Sequence, residues 1–344
     1  MGLNLTVKKM IPLILISLSV IFLIIVPLFT SSFMTHFLIL LLMYATLATA
    51  WNWIGGYAGQ ISFGHAVFFG LGAYSTGLAN GLFHLNPWIG LFIGIVISAI
   101  FSFLIGIPAF RSRGHYFIIA TIAIGEVMFS LFMGWRVAGG GAGYYISMKE
   151  ASILNFQFHS KTPYFYIVLI FFVLSIGITL WLERSKTGYY LRAIKGDPYA
   201  AMAIGINLSF YKQVAMMMSA AVTSLLGSFW ANYLLFIDPE SCFAGSMSVR
   251  ILLIVAIGGV GTLYGPIIGV LIIIPLTEGT RMLLGGLGSG IDSVLYGLLI
   301  MIIAVLQPEG IMGIVKSYKR KIRFKQENID QRREGSDTDA VTSD

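Results

Sequence analysis

The chain has 344 residues, of which 57% are hydrophobic and only 11% are charged. An average globular protein carries about 25% charged residues, so this chain could not form a water-soluble particle without large exposed apolar patches. The mean hydropathy of +0.85 agrees with that conclusion. We therefore expect an all-α fold, a polytopic bundle of transmembrane helices in a lipid bilayer.

The cysteine and charge content exclude further classes of protein. Cys242 is the only cysteine, which rules out an internal disulfide framework and a cysteine-based zinc or iron–sulfur site. The net charge is +7, but the basic residues form short clusters between apolar runs, as the positive-inside rule predicts for a membrane protein. We expect no nucleic-acid partner, and no metal or cofactor bound by this chain.

Ten stretches are apolar and long enough to cross a bilayer, since one crossing takes about 20 helical residues. They are residues 10–29, 36–54, 61–82, 88–110, 116–135, 164–182, 213–236, 249–264, 266–284 and 291–306. The first stretch exceeds the about 7–15 residues of a signal-peptide core and ends without a small-residue cleavage site. We therefore interpret it as a retained span.

Basic residues predict the orientation of these spans. Lys8 and Lys9 place the N-terminus in the cytoplasm. Alternation then places the basic loop 183–212 and the basic residues after 315 on the same side, so both termini are expected to be cytoplasmic. We predict a transmembrane domain over residues 1–315 and a tail over 316–344, first basic and then acidic, that does not fold alone.

Two glycine-rich breaks interrupt the apolar runs. The members that we single out in the first break are Gly55, Gly56, Tyr57, Gly59, Gln60, Ser62, Gly64 and His65, and those in the second are Gly258, Gly259, Gly261 and Gly265. In lipid, non-helical backbone is tolerated only where protein buries it or where it lines an aqueous cavity. Matching breaks in two halves therefore indicate a solute pathway or its gate. Close helix packing is the competing explanation for any single glycine.

Sequence motifs for catalysis and for ion coupling are sparse. The chain contains no G-x-x-x-x-G-K-[ST] phosphate loop, no G-x-S-x-G elbow and no H-E-x-x-H zinc pair. Glu126 is the one acid well inside a predicted span, with a structural role and a role as proton relay both open. We predict that this chain is not an enzyme, and that active transport would draw its energy from another protein.

The loop 183–212 contains a predicted short helix. Asp197 is a suitable N-cap and Pro198 a suitable first residue. The residues up to Ile204 continue the helix, and Gly205 is a plausible stop. Such a helix either docks a partner protein or lies along the bilayer surface.

Three stretches resemble one family. They are Gly55 to Ala66 with Phe68 and Gly72-Ala73-Tyr74; Leu191 to Ile194 followed by Asp197, Ala200-Ala201, Gly205-Ile206-Asn207 and Tyr211-Lys212; and Ile257 to Pro266. In these the sequence resembles the inner-membrane permeases of ABC importers for branched-chain amino acids, the LivM-type subunit. The matched stretches span most of residues 40–310.

The resemblance implies a multi-pass permease of the cell inner membrane. It would pair with a second, LivH-like permease, two cytosolic ATPases that hold ATP and Mg²⁺, and an external solute-binding protein. It also implies that 190–205 holds the helix that couples to an ATPase, with these residues in the contact: Leu191, Arg192, Ala193, Lys195, Asp197, Ala200, Ala201 and Gly205. Gly196 and Pro198 depart from the family pattern, as does the lack of a Thr before the glycines at 139–143.

We therefore predict a permease that translocates leucine, isoleucine and valine while partner ATPases supply the energy. Gln60 and Ser62 are the polar groups expected along its otherwise apolar path. The alternatives are an ABC permease for urea or short amides, or a stand-alone ion-coupled transporter. A membrane-embedded enzyme and a passive channel are further rivals.

Overall fold

A computed structural model describes residues 25–27, 29–110, 115–284, 297–298, 301 and 311–312. Its contacts divide the chain into two compact units, Met1–Leu252 and Leu253–Asp344. The described residues are mainly helical, and their principal helices are α1 Ser32–Asn52, α2 His65–Phe83, α3 Pro87–Ala109, α4 His115–Gly134, α5 Thr162–Arg184, α6 Lys186–Gly196, α7 Pro198–Ala203, α8 Leu208–Leu234, α9 Pro239–Phe243, α10 Gly245–Gly258 and α11 Gly265–Leu284.

Six helical segments of the described residues are long and apolar enough to cross a membrane. They are Ser32–Tyr57, Pro87–Ala109, Tyr116–Gly134, Thr162–Arg184, Leu208–Leu234 and Pro239–Gly258. This confirms a polytopic helical fold, with the predicted spans 36–54, 88–110, 116–135, 164–182 and 213–236 recovered within a few residues at most ends. The predicted span 249–264 is wrong in its bounds, because α10 begins at Gly245 and ends at Gly258.

Several predictions fall on other parts of the chain. The predicted spans 10–29 and 291–306 lie largely outside the described residues, as do the basic pair Lys8 and Lys9 and the domain boundary at residue 315. The tail from residue 316 lies there as well. The count of ten spans, the orientation of the termini and the tail stay predictions.

Helix α2 is an inner helix rather than a lipid-facing span. It begins at His65, four residues later than predicted, and its small and polar residues keep it out of the six apolar segments. It packs mainly against α3 and α8. A Cβ on Gly72 would collide with the Ser224 carbonyl group, and one on Gly227 with that of Phe69. These glycines let the two backbones approach closely, as small residues do between membrane helices.

Polar contacts fix the α2–α8 interface further. The Ser228 hydroxyl donates to the carbonyl oxygen of Gly72 at 2.9 Å. Within α8 itself, the Asn232 amide donates to the carbonyl oxygen of Ser228 at 2.8 Å and so holds a buried polar side chain beside this contact. Side-chain hydrogen bonds between or within buried helices satisfy groups that could find no water in lipid.

The end of the bundle that holds Ser32, Phe83 and Leu234 carries a small sheet. Strand β1 (Tyr144–Tyr145) pairs antiparallel with β2 (Phe236–Ile237), with Tyr144 opposite Ile237. The glycine-rich stretch before β1 forms two 3₁₀ turns, Arg136–Ala138 and Gly140–Ala142. Gly143 has a φ of 79°, and a Cβ there would lie 2.8 Å from the Ile237 carbonyl oxygen. A glycine is therefore needed for this loop to reach the sheet.

Candidate functional site

The first glycine break is a true interruption of the helix. Helix α1 ends in a π-helical turn, Trp53–Tyr57, and the chain is not helical again until His65. A Cβ on Gly55 would overlap the Trp51 indole ring. Gly59 has a φ of 70°, which favours glycine over a residue with a side chain. The predicted break is confirmed, and Ile61 to Gly64 are not part of the following helix.

Hydrogen bonds from three helices hold this broken segment in place. Trp51 Nε1 donates to the Ser62 carbonyl oxygen at 2.8 Å. The backbone N–H of Phe63 donates to Thr121 Oγ1 of α4 at 3.1 Å, and that of Ala66 donates to Ser248 Oγ of α10 at 2.8 Å. The segment is therefore hydrogen-bonded to three helices, so a displacement of any one of them would also displace the break.

The polar side chains predicted for this segment differ in their surroundings. His65 is fully buried, and its Nε2 lies 2.8 Å from Ser219 Oγ of α8. Ser62 is 1% exposed, and its hydroxyl accepts from the Gly64 N–H at 3.3 Å. Gln60 is partly exposed, with its amide directed to the Gly59 carbonyl oxygen at 3.5 Å. His65 and Ser62 thus have local structural partners, whereas Gln60 presents an amide at the surface of the segment.

The second glycine break is a tight turn between α10 and α11. Gly259 and Gly261 have φ values of 129° and 76°. Thr262 Oγ1 donates to the Gly259 carbonyl oxygen at 2.9 Å and accepts from the Gly265 N–H at 3.0 Å. A Cβ on Gly258 would collide with the Gly265 carbonyl group. The predicted interruption is confirmed, and all four predicted glycines lie in or beside the turn.

The loop 183–212 contains two helices, α6 and α7, that meet at Asp197. The Asp197 carboxylate accepts from the backbone N–H groups of Tyr199 and Ala200 at 2.8 and 3.2 Å, and Pro198 is the first residue of α7. Gly205 follows the helix with a φ of 85°. The predicted N-cap and the glycine stop are confirmed. The departures at Gly196 and Pro198 coincide with the junction between the two helices.

Burial divides the predicted coupling residues into two groups. Leu191 and Ala201 are buried, at 0% and 2% exposed. The others are exposed, namely Arg192, Ala193, Lys195, Asp197, Ala200 and Gly205. Tyr199, Met202 and Ile204 of this segment are 64%, 55% and 75% exposed. We call these three residues the α7 apolar patch.

Helix α6 contacts the first glycine break directly. The Tyr57 hydroxyl donates to Glu183 Oε1 at 2.6 Å, at the end of α5 that leads into α6. Lys195 Cγ lies 3.1 Å from the position that a Cβ on Gly59 would take. Leu191 belongs to the same buried cluster as Trp53 and Tyr57. Sequence reasoning missed this contact, since Tyr57 and Glu183 are 126 residues apart and no motif links them.

Comparison with known protein families decides the class. Residues 33–305 match the model of the family described as branched-chain amino acid transport system / permease component. The chain belongs to this family. The match covers the two glycine breaks and the α6–α7 segment, so the resemblance carried by the sequence motifs is confirmed.

The sequence identity to individual relatives is low, but the alignments are long. The chain is 25% identical over 298 residues to the high-affinity branched-chain amino acid permease LivM of Salmonella typhimurium, covering 80% of this chain and 69% of the relative. It is 24% identical over 300 residues to LivM of Escherichia coli K12, with the same coverage. It is also 26% identical over 285 residues to LivH of Salmonella typhimurium, covering 78% of this chain and 91% of the relative. No solved structure matches.

Proposed function

We propose that this chain is the LivM-type permease subunit of an ABC importer that translocates leucine, isoleucine and valine across the inner membrane. The family match and the long alignments to both LivM and LivH support this proposal. The chain crosses the membrane ten times with both termini in the cytoplasm. Its partners are a LivH-like permease, two cytosolic ATPases and an external solute-binding protein.

The contact between α6 and the first glycine break carries the mechanism. In this proposal the ATPases bind α7, and α6 moves with α7 when the ATPases bind and hydrolyse ATP. The Tyr57–Glu183 hydrogen bond and the packing of Leu191 transmit that movement to the π-helical turn at Trp53–Tyr57. Because the segment after this turn is also bonded to α4 and α10, its displacement reorients the helices that border the path.

The α7 apolar patch is the surface that fits an ATPase. Tyr199, Met202 and Ile204 are large apolar residues exposed in a segment that has exposed Lys195 and Asp197 at one end and exposed Asn207 at the other. Exposed apolar patches rimmed by polar residues mark protein or membrane contacts. Asp197 is part of the same segment and fixes the start of α7 through two hydrogen bonds. We propose that the patch packs into a cleft of the ATPase.

The glycine breaks provide the gate in this proposal. The positive φ values of Gly59, Gly259 and Gly261 allow the backbone to leave the helical conformation and turn at these positions. Such discontinuous helices occur at solute sites of transporters. Gln60, with its exposed amide, is the polar side chain of the first break that a passing solute can reach.

Uptake of radiolabelled leucine tests the function and the solute together. The chain, a LivH-like permease, the ATPases and the binding protein are reconstituted in vesicles loaded with ATP. We expect accumulation of leucine that unlabelled isoleucine and valine compete away and that urea does not. Competition by urea or short amides at equal concentration would contradict the assigned solute. Accumulation by this chain alone under a proton gradient would contradict the assigned class.

Binding of the ATPase tests the coupling segment separately. Asp197→Ala removes the acceptor for two backbone N–H groups, which costs about 1 kcal/mol of helix stability for a typical N-cap. We expect co-purification of the ATPase to fall several-fold, with Asp197→Asn close to wild type because Asn is an equally good cap. Equal ATPase recovery with all three chains would contradict this docking site.

A further inference from the structure

A carboxylate lies in the middle of helix α4. Glu126 follows His115 by eleven residues and precedes Gly134 by eight. At about 1.5 Å rise per residue, it lies about 16 Å and about 12 Å from the two ends of the helix. The segment Tyr116–Gly134 is one of the six spans. Glu126 is therefore placed near the centre of the hydrocarbon layer.

The Glu126 side chain is not buried by the described part of the bundle. It is exposed, together with Ile119, Ala123 and Ser130. These residues recur at spacings of three and four and so share one face of α4. Within the described ranges no hydrogen bond or ion pair reaches the Glu126 carboxylate. A smaller share of this span is buried than of any of the other five.

Lipid cannot be what this face meets. A charged side chain at the centre of a bilayer is disfavoured by about a hundredfold on translocon-insertion scales. Ionisable residues inside spans accordingly face a protein interior or a water-filled cavity. The exposed α4 face around Glu126 must therefore border either the solute path or another subunit.

The residues next to Glu126 leave room for a solute. Its Oε1 lies 3.9 Å from the position that a Cβ on Gly245 would take. Gly245 begins α10, and only Ala244 separates it from the end of the short helix α9; both Gly245 and Ser246 are exposed. The carboxylate thus lies at a break between two helical segments, among small residues. Neither Gly245 nor Ser246 has a large side chain that would fill this space.

We propose that Glu126 binds the α-ammonium group of the amino acid as it crosses the membrane, an inference that rests on the proposed function. A carboxylate is the group that recognises an ammonium ion by a charge-assisted hydrogen bond. The apolar Ile119 and the small Ala123 on the same face accept an aliphatic side chain. A neutral solute such as urea can donate a hydrogen bond to the carboxylate but carries no positive charge to strengthen it, so Glu126 favours amino acids.

Transport by charge variants is the first test. Glu126→Gln keeps the shape and removes the charge, and Glu126→Asp keeps the charge. Glu150→Gln, in the exposed segment beyond α4, is the matched control. Since a hydrogen bond to a charged group corresponds to about tenfold or more in affinity, we expect leucine transported per ATP to fall about tenfold in Glu126→Gln. Glu126→Asp should retain most of the transport, and Glu150→Gln all of it.

Thiol labelling is the second test and does not depend on transport. Cys242 is fully buried, so the wild-type chain should react little with a small water-soluble methanethiosulfonate. Glu126→Cys should react readily in the complete importer, because the reaction needs water, and excess leucine should slow it. Ile170→Cys on α5, 58% exposed, is the control expected to face lipid and stay unreactive.

The outcomes separate this inference from the proposed function. If the wild-type importer takes up leucine but Glu126→Gln does so equally well, the inference is wrong and the function stands. If Glu126→Gln no longer co-purifies with the second permease, Glu126 pairs with that subunit and the inference is again wrong. If the wild-type importer takes up no leucine, the proposed function fails and the inference fails with it.

Discussion

The Tyr57–Glu183 hydrogen bond gives the sharpest test of how movement reaches the glycine break. Tyr57 is 1% exposed, and its hydroxyl lies 2.6 Å from Glu183 Oε1, the usual length of a charge-assisted O–H···O⁻ bond. Bonds to charged groups contribute about 1.5–3 kcal/mol. Glu183 is partly exposed, so we take the lower end. That value corresponds to about a tenfold change in an equilibrium.

Tyr57→Phe removes this bond and retains the ring that packs beside Trp53 and Leu191. We expect the importer to assemble and to hydrolyse ATP, while leucine transported per ATP falls about tenfold, because the end of α5 that leads into α6 is no longer bonded to the π-helical turn. Uptake and phosphate release are measured in the same vesicles. Glu183→Gln, which keeps a neutral acceptor, should give an intermediate ratio.

Tyr145→Phe is the matched control, since Tyr145 is 77% exposed and lies in β1 at the opposite end of the bundle. It should leave the ratio unchanged. An unchanged ratio in Tyr57→Phe would refute the proposed transmission. So would a parallel fall of uptake and ATP hydrolysis, because that pattern indicates a general loss of folded importer.

Three further predictions concern docking, the second break and the core. Ile204→Asp places a charge in the α7 apolar patch and should reduce ATPase affinity at least tenfold in a binding assay, whereas Ile153→Asp, 70% exposed at the other end, should not. Thr262→Val loses two hydrogen bonds of 2.9 and 3.0 Å and should lower the melting temperature in detergent by several degrees. An unchanged melting temperature would contradict the turn geometry. Gly72→Ala collides with the Ser224 carbonyl group and should abolish a monodisperse yield, whereas Gly125→Ala, with nothing within 4 Å, should be harmless.

The sequence was sufficient where a local rule decides the structure. Composition alone predicted a helical membrane protein, because only helices can satisfy their backbone hydrogen bonds within one apolar segment. Asp197, Pro198 and Gly205 predicted both ends of α7, since capping depends on neighbours in the chain. The two glycine breaks were also predicted from local sequence, because runs of glycine interrupt the apolar stretches there. The errors were a few residues at the edges of each break.

The sequence was insufficient where distant segments meet. Neither the Tyr57–Glu183 bond nor the Gly59–Lys195 contact corresponds to a sequence pattern in either of the two segments that it joins. The inner position of α2 could not be predicted either, because it depends on Gly72 fitting against α8 rather than on the hydropathy of α2. The local turn that the Ser62 hydroxyl closes is visible only in the folded segment, and the place of Ser62 along the path stays a prediction.

The central claim is that this chain is a path whose energy comes from partner ATPases. The most direct measurement is leucine accumulation in vesicles that hold both permeases and are supplied with the solute-binding protein outside, prepared with and without the ATPases and ATP. The account predicts accumulation only when ATPases and ATP are both present, and none under an imposed proton or sodium gradient alone. Accumulation without the ATPases would contradict it.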